Sequence, residues 1–127
     1  MRKTLSVAIV MVFLGFAVGK SGSSTSPQEE DYTGGNWLLV SCQVTVKTTE
    51  DSRFVENTFE SYRDGYCRGL VAGVADASPH VCPPRSVTHG QQVKVVLKYL
   101  QDHPEELHLH NSDLVEKSLA KAFPCGK

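Results

Sequence analysis

Residues Asn57–Ser78 read NTFESYRDGYCRGLVAGVADAS and form the longest stretch of the chain with a helical hydrophobic period. Apolar and aromatic residues recur there every three or four positions, as they do along one face of an α-helix. This primary face carries Val55, Phe59, Tyr62, Tyr66, Leu70 and Val74, and a neighbouring face carries Cys67, Val71 and Val74. The wide apolar arc predicts a central helix that packs against neighbours on two sides, with its tyrosines in the core.

Three glycines lie four residues apart in this segment, at Gly65, Gly69 and Gly73, and Ala77 continues the series. Each glycine inside a helix costs about 1 kcal/mol relative to alanine. A partner helix packed closely against this ridge would offset the cost, so Gly69→Leu is expected to destabilise the fold by roughly 1 to 3 kcal/mol. The alternative is that the glycines divide the segment into two shorter helices.

The first 19 residues have the organisation of a secretory signal peptide. Arg2 and Lys3 precede an apolar run, Leu5–Val18, and the small residues Ala17-Val18-Gly19 provide a cleavage site. The run is shorter than the ~20 residues that span a bilayer. The sequence therefore predicts a cleaved signal peptide over residues 1–19, with an uncleaved anchor as the alternative.

The exported part is a single domain without a basic patch. Removing Arg2 and Lys3 from the 13 basic residues leaves 11, against 14 acidic residues, so the mature chain has a net charge near minus three. The remaining basic residues are not clustered. Nucleic acid and anionic membranes are therefore not expected as partners, because both require a positive patch.

Four cysteines follow the predicted signal peptide, at Cys42, Cys67, Cys82 and Cys125. An even number of cysteines in an exported domain predicts two disulfides, because an oxidising compartment favours them and a small core benefits from them. Free or metal-bound thiols are the alternative.

The segment after the signal peptide is rich in glycine and serine. Residues 20–35 include the acidic patch Glu29–Asp31 and almost no apolar side chains, which predicts a flexible leader before a helical domain over residues 36–127. Trp37–Lys47 alternates as a strand would. We nevertheless predict a helix through Val44, capped by Asn36, because no later segment offers a partner strand. Lys47–Arg53 is predicted to be a polar loop.

The third helix is marked at both ends. Cys82-Pro83-Pro84 predicts a stiff turn, and Thr88 with Gln91 forms a capping-box pattern. The core stripe that follows consists of Val93, Val96, Leu97 and Leu100. Pro104 ends this helix and opens a short extra turn.

The last helix is predicted to be capped by Asn111 or Ser112 and to end at Pro124. Its inward residues are Val115, Leu119, Ala122 and Phe123. The predicted fold is thus all-α, a small antiparallel bundle of about four helices stapled by two disulfides. In an up-and-down bundle the end of the last helix meets the start of the third, which favours Cys82–Cys125 and Cys42–Cys67 over the other two pairings.

No catalytic, cofactor or metal site is predicted. His103, His108 and His110 lie close together, but their irregular spacing does not match a zinc signature and fits a solvated loop. A cysteine–histidine nucleophile is disfavoured because every cysteine has a disulfide partner available. The chain also lacks a glycine-rich phosphate loop after a strand, so we predict that it is not an enzyme.

Three motifs resemble one known family: YCRGLVAGVADAS (66–78), VCPPRSVTHGQQVKVVLKYLQDHPEELH (81–108) and LVEKSLAKAFPC (114–125). Together they resemble the type VI secretion immunity proteins of the Rap/Tai group, over about Trp37 to Cys125. The resemblance implies a small periplasmic, all-helical protein that binds and inhibits a peptidoglycan amidase secreted by neighbouring bacteria, commonly as a dimer. Two features depart from the group: Asn111 stands where it often has a small residue, and the first segment is strand-like.

The matching motifs are mostly cysteines, prolines and core positions, which carry the fold. The rival interpretation is therefore a periplasmic protein-interaction or stress-protective domain of the same fold that has no toxin partner.

Partner-binding residues are predicted by exclusion. An inhibitor of a cleft enzyme must present a narrow segment, and helix faces in the core are not available. Of the connections Lys47–Arg53 and Gln101–Asn111, the second is stiffened by Pro104 and is richer in groups that anchor interfaces. The predicted partner-binding residues are Glu105, Glu106, His108 and His110. The alternative sites are the first connection and the exposed face of the central helix, which carries Arg63 and Arg68.

Overall fold

The computed structural model describes residues 31–51, 53 and 57–126. The four α-helices are α1 (Gly35–Glu50), α2 (Thr58–Ala77), α3 (His89–Asp102) and α4 (Asn111–Ala122), with a short 3-10 helix over Pro104–Glu106. No strand occurs within these ranges, and the predicted all-α fold with two disulfides is confirmed. None of the described helices is long and apolar enough to cross a membrane. The predicted signal peptide and residues 20–30 of the leader lie outside the described residues.

The first segment is a helix, as predicted, but its ends differ from the prediction. The N-cap is Gly34 instead of Asn36, and the helix continues to Glu50, so most of the predicted loop Lys47–Arg53 is helical. Threonine is tolerated in the last turns because the hydroxyls of Thr48 and Thr49 donate to backbone carbonyls four residues back.

The end of the predicted leader belongs to the fold. The Gly35 amide donates to the Leu109 carbonyl at 3.1 Å, and the Asn111 amide donates to the Thr33 carbonyl at 2.8 Å. A Cβ on Gly35 would lie 2.4 Å from Leu114 Cδ1, so this glycine permits the chain to pass close to α4. Residues 31–35 are thus anchored to the connection before α4 and do not form a flexible leader.

The central helix α2 is one continuous helix, and the Asn57 side chain caps it by accepting from the Glu60 amide at 3.0 Å. Its glycines, however, face solvent: a Cβ added at Gly65, Gly69 or Gly73 would meet nothing within 4 Å. The predicted close helix pair on this ridge is wrong. Residues two apart on a helix point to nearly opposite sides, so burial of Cys67, which lies two positions from both Gly65 and Gly69, turns the ridge outward.

The third helix follows the prediction closely, and the fourth differs at its start. Thr88 and Gln91 form both halves of the capping box. The N-cap of α4 is His110, so the predicted caps Asn111 and Ser112 are wrong. Asn111 is the first helical residue and its side chain is buried, because it bonds to the segment before α1.

The core lies where the four helices meet and is closed by the two disulfides. Both predicted pairings are confirmed: Cys42–Cys67 with a Cα–Cα distance of 5.2 Å, and Cys82–Cys125 with 4.9 Å. The Cys82 amide also donates to the Phe123 carbonyl at 2.9 Å, which ties the segment before α3 to the end of α4. The fully buried aliphatic side chains are Leu38, Val71, Val93, Val96, Leu100, Leu114, Val115 and Leu119.

The outward orientation of the glycines reverses the expectation for Gly69. Gly69→Ala should stabilise the protein by about 0.5 to 1 kcal/mol, because alanine restricts the unfolded chain and meets open space in α2. The measurement is urea unfolding followed by circular dichroism. Gly35→Ala is the matched control and should destabilise, since its Cβ clashes with Leu114. Destabilisation by Gly69→Ala would contradict the solvent-facing ridge.

The disulfides supply a second prediction. The purified mature protein should contain no free thiols, and peptide mapping should recover the Cys82–Cys125 cross-link. Replacing both of these cysteines by serine should lower the free energy of unfolding by roughly 3 to 4 kcal/mol, because the unfolded chain regains the freedom of a long loop. A peptide joining Cys42 to Cys125, or a double variant as stable as the wild type, would contradict this arrangement.

Candidate partner-binding surface

The connection between α3 and α4 contains the four predicted partner-binding residues, and one of them is held in place internally. Glu106 Oε2 accepts from the Tyr99 hydroxyl at 2.7 Å, and Glu106 Oε1 accepts from Lys117 Nζ at 2.6 Å. Glu106 therefore links α3, the 3-10 helix and α4. Because both carboxylate oxygens are engaged, this side chain has a structural role.

The same network shifts three pKa values. The hydrogen bond from Lys117, followed by that from Tyr99, holds the pKa of the Glu106 carboxyl below its usual value. The carboxylate in turn raises the pKa of the Lys117 ammonium. Burial, followed by the hydrogen bond to Glu106, raises the pKa of the Tyr99 hydroxyl. All three shifts favour the ionised carboxylate and ammonium with a neutral phenol around neutral pH.

His103 and Glu105 form a pair beside this network. The His103 ring stacks on Tyr99 with centroids 4.3 Å apart, and its Nδ1 lies 3.1 Å from Glu105 Oε1. Ligand atoms of His103, Glu105 and Glu106 lie within 4.8 Å of one another. An ammonium and a hydroxyl already occupy the oxygens of Glu106, so this cluster does not fit a cation and is not assigned as a metal site.

His108 and His110 lie further along the connection, and both are exposed. The Nδ1 atom of His110 is 2.9 Å from Ser112 Oγ, and the backbone of His110 pairs with Gly34. The structure therefore brings Glu105 and Glu106 to the α3–α4 side of the connection, whereas His110 contacts the segment before α1.

A groove of about 470 Å³ lies between α3 and α4, beside Tyr99 and His103. Its rim carries three lysines, two of which are already paired: Lys94 with Glu50 at 3.3 Å and Lys98 with Asp102 at 2.8 Å. The third, Lys121, lies over the Tyr99 ring at 5.6 Å. The groove is open, and its charged rim is largely neutralised within the protein, so we assign no ligand to it.

A surface cluster, which we call the Trp37 patch, lies where α1 and α2 begin. It consists of Tyr32, Trp37, Val40, Phe59, Tyr62, Arg63 and Tyr66. The Trp37 ring has four aromatic neighbours at centroid distances of 4.6 to 6.3 Å. Trp37 itself is 6% exposed, whereas Phe59 is 47% and Tyr62 53% exposed. The patch therefore has a buried centre and a half-exposed aromatic margin.

Arg63 lies on the rings of this patch. Its guanidinium carbon is 4.8 Å from the Trp37 ring centroid and 4.4 Å from that of Phe59. Arg63 Nε and Trp37 Nε1 are buried and have no hydrogen-bond acceptor within the described part of the chain. The patch thus combines apolar rings with N–H donors that no described residue satisfies.

The Trp37 patch is continuous with the connection before α4. The Tyr32 carbonyl accepts from the Tyr66 hydroxyl at 2.8 Å and from Asn111 Nδ2 at 3.2 Å. Asn111 Nδ2 also contacts the Tyr66 hydroxyl, and the exposed residue Leu109 bonds to α1 through its carbonyl. Hydrogen bonds therefore hold the aromatic patch and residues 107–111 together as one surface.

Sequence reasoning missed this patch because it assigned Phe59, Tyr62 and Tyr66 to the core. The helical period was correct, but it identifies an apolar face without saying how far along that face a neighbour extends. The available signal was Arg63, a charged residue placed among aromatic ones in the first turns of α2.

The chain is similar to a known protein family. A family model described as Rap1a immunity proteins matches residues 34–125, a range that includes all four helices and both disulfides. No curated protein and no solved structure is significantly similar to the chain.

The Glu106–Lys117 pair predicts an acid-sensitive stability. The folded-state pKa of Glu106 is below its ordinary value of 4.5, so its stabilisation is present above that value and is lost as the pH falls through the folded pKa. The melting temperature should fall as the pH is lowered from about 6 to about 3, and Glu106→Gln should weaken this fall. Asp102→Asn, which removes a pair within one helix, is the control and should have a smaller effect. An identical acid profile for Glu106→Gln and the wild type would contradict the structural role of Glu106.

Proposed function

The chain belongs to the Rap1a immunity protein family, and from this premise we propose that it is an exported immunity protein that binds a toxic effector protein and blocks it without catalysis of its own. The single observation that supports the proposal is the family match, which extends over residues 34–125 and so covers all four helices in full. The family relationship implies a protein partner.

The proposed effector is a peptidoglycan amidase delivered by type VI secretion, and the proposed compartment is the periplasm. The resemblance of the three motifs supports the amidase. The predicted signal peptide supports export, and two disulfides suit an oxidising compartment. An inhibitor in the periplasm would meet the enzyme where its cell-wall substrate lies. The proposal includes the homodimer that the resemblance implies.

The connection between α3 and α4 is the proposed polar contact with the effector. Glu105, His108 and His110 are exposed there, while Glu106 holds the segment in shape. Pro104 and the bonds of Glu106 limit the conformations of the free segment, so less entropy is lost on docking. A stiff, polar segment of this kind can enter an enzyme cleft without rearranging the helices.

Co-expression tests the function directly. Each amidase encoded next to this gene is exported to the periplasm of a laboratory strain, with or without this protein, and lysis is followed by turbidity. We expect the protein to prevent lysis by one amidase and to bind that purified enzyme in calorimetry. Lysis that persists with every neighbouring amidase would contradict the proposal and favour a protein-interaction or stress-protective domain without a toxin partner.

Substitutions of the proposed contact residues should weaken binding of the effector without lowering the stability of the fold. Replacing Glu105, His108 and His110 together by alanine should weaken binding of the amidase by about tenfold, which is about 1.4 kcal/mol, with little change in melting temperature. Adding Glu106→Ala should lower the melting temperature as well, because it releases Tyr99 and Lys117. Lys94→Ala, on the rim of the α3–α4 groove, is the control. Unchanged affinity of the triple variant would exclude the connection from the interface.

A further inference from the structure

The exposed large hydrophobic side chains of the described residues are concentrated in one place. Four of the five, Tyr32, Val40, Phe59 and Tyr62, belong to the Trp37 patch. The fifth, Leu109, lies beside the patch, because its carbonyl accepts from the Gly35 amide at the start of α1. Single exposed apolar residues are common on protein surfaces, but a contiguous group of them marks an interaction site.

Folding does not account for the exposed part of this group. The residues of α2 that are fully buried are Cys67 and Val71, one to three turns beyond Phe59 and Tyr62. About half of the Phe59 and Tyr62 surface remains in water, so these side chains add little to the core. Tryptophan, tyrosine and arginine are the residues most enriched among those that dominate binding energy at interfaces. The composition of the patch therefore fits a binding surface better than a packing surface.

Arg63 indicates the chemistry of the partner. Its guanidinium carbon lies 4.8 Å from the Trp37 ring centroid and 4.4 Å from that of Phe59, and Arg63 takes part in none of the ion pairs among the described residues. A guanidinium is a planar set of donors that matches a carboxylate with two parallel hydrogen bonds. The surrounding rings would shield that pair from water and strengthen it. A partner segment with an apolar side chain next to an aspartate or glutamate has the complementary arrangement.

The patch is also rigid before any partner arrives. The disulfide Cys42–Cys67 fixes α1 to α2 directly beneath it, and the bonds among Tyr32, Tyr66 and Asn111 fix the segment before α1. Aromatic side chains have few rotatable bonds, so they lose little conformational entropy when they become ordered on docking. A rigid aromatic centre with polar residues around it is the usual organisation of a specific protein interface.

A second copy of the chain is a poorer occupant. A two-fold contact through this patch would bring each Arg63 against the same patch of the other copy. The carboxylate lining the same depression is Asp31, and its Oδ1 atom already accepts from the Thr33 amide at 2.9 Å and the Thr33 hydroxyl at 2.6 Å. Pairing Asp31 across the contact would compete with the turn that leads into α1. A different protein can supply a carboxylate without this cost.

We infer that the Trp37 patch is the central docking surface for the effector, with the exposed residues of the connection before α4 as its polar rim, and that the effector contributes an apolar side chain next to a carboxylate. This inference rests on the proposed function and identifies the surface that performs it. The connection alone offers few groups that could dominate the binding energy. The patch offers an aromatic centre and a guanidinium that forms no ion pair with another described residue.

The test uses the full mature protein and the purified amidase that it neutralises. Tyr62→Ala and Arg63→Glu should each weaken binding at least tenfold, and together at least a hundredfold, with melting temperatures close to that of the wild type. Arg63→Lys keeps the charge but lacks the planar donor set, so it should weaken binding several-fold. Val95→Ala, which removes apolar surface from the α3–α4 groove, is the matched control and should bind within twofold of the wild type. In hydrogen-exchange measurements on the wild-type protein, binding of the amidase should protect residues 59–66 from exchange. This test does not depend on any substitution.

The outcomes separate the two proposals. A wild-type protein that binds and neutralises no amidase would overturn the proposed function and this surface with it. Alternatively, the wild type neutralises an amidase, but the patch variants bind it within twofold of the wild-type affinity and residues 59–66 are not protected. That result would overturn the proposed surface and leave the proposed function standing. Patch variants that dissociate a dimer in sedimentation but retain full affinity for the amidase would assign the patch to a second copy and also overturn the inference.

Discussion

The contact between α1 and α2, closed by the disulfide Cys42–Cys67, is the constraint on which the remaining structure depends. It selects which side of α2 faces the core: Cys67 and Val71 turn inward, so the glycine ridge, two positions away along the helix, turns outward. It also places Trp37 of α1 against the first turns of α2, where none of the other described helices covers the margin. The aromatic patch is thus exposed because it lies at the margin of the contact between α1 and α2.

A second constraint is the buried polar contact around Asn111. Its side chain donates to the Tyr32 carbonyl and contacts the Tyr66 hydroxyl, and its amide donates to the Thr33 carbonyl. A small residue at this position could not make these side-chain bonds. In this chain the Asn111 side chain gives the Tyr32 carbonyl a second donor beside the Tyr66 hydroxyl, and so joins the segment before α1 to the start of α4. The aromatic patch and the polar connection are one surface for this reason.

The four residues predicted to bind a partner have different roles in the structure. Glu106 is engaged on both oxygens and maintains the shape of the connection, whereas Glu105, His108 and His110 are exposed and remain proposed contacts. Sequence reasoning identified the connection because a proline and charged residues separate two helical patterns in the linear sequence. It could not separate a charge that faces a partner from one that faces Lys117 eleven residues later, because that distinction depends on the path of the chain.

The sequence by itself determined the helical class, the capping box at Thr88, the core stripe of α3 and, through the order of the helices, both disulfide pairings. These features follow from local chemistry or from short connections, which a linear pattern records. Only the tertiary structure decided that the glycines face water, that Asn111 bonds inward and that Phe59 and Tyr62 lie exposed. Periodicity gives the direction of a side chain around its own helix axis, but burial depends on whether another helix reaches that point along the axis.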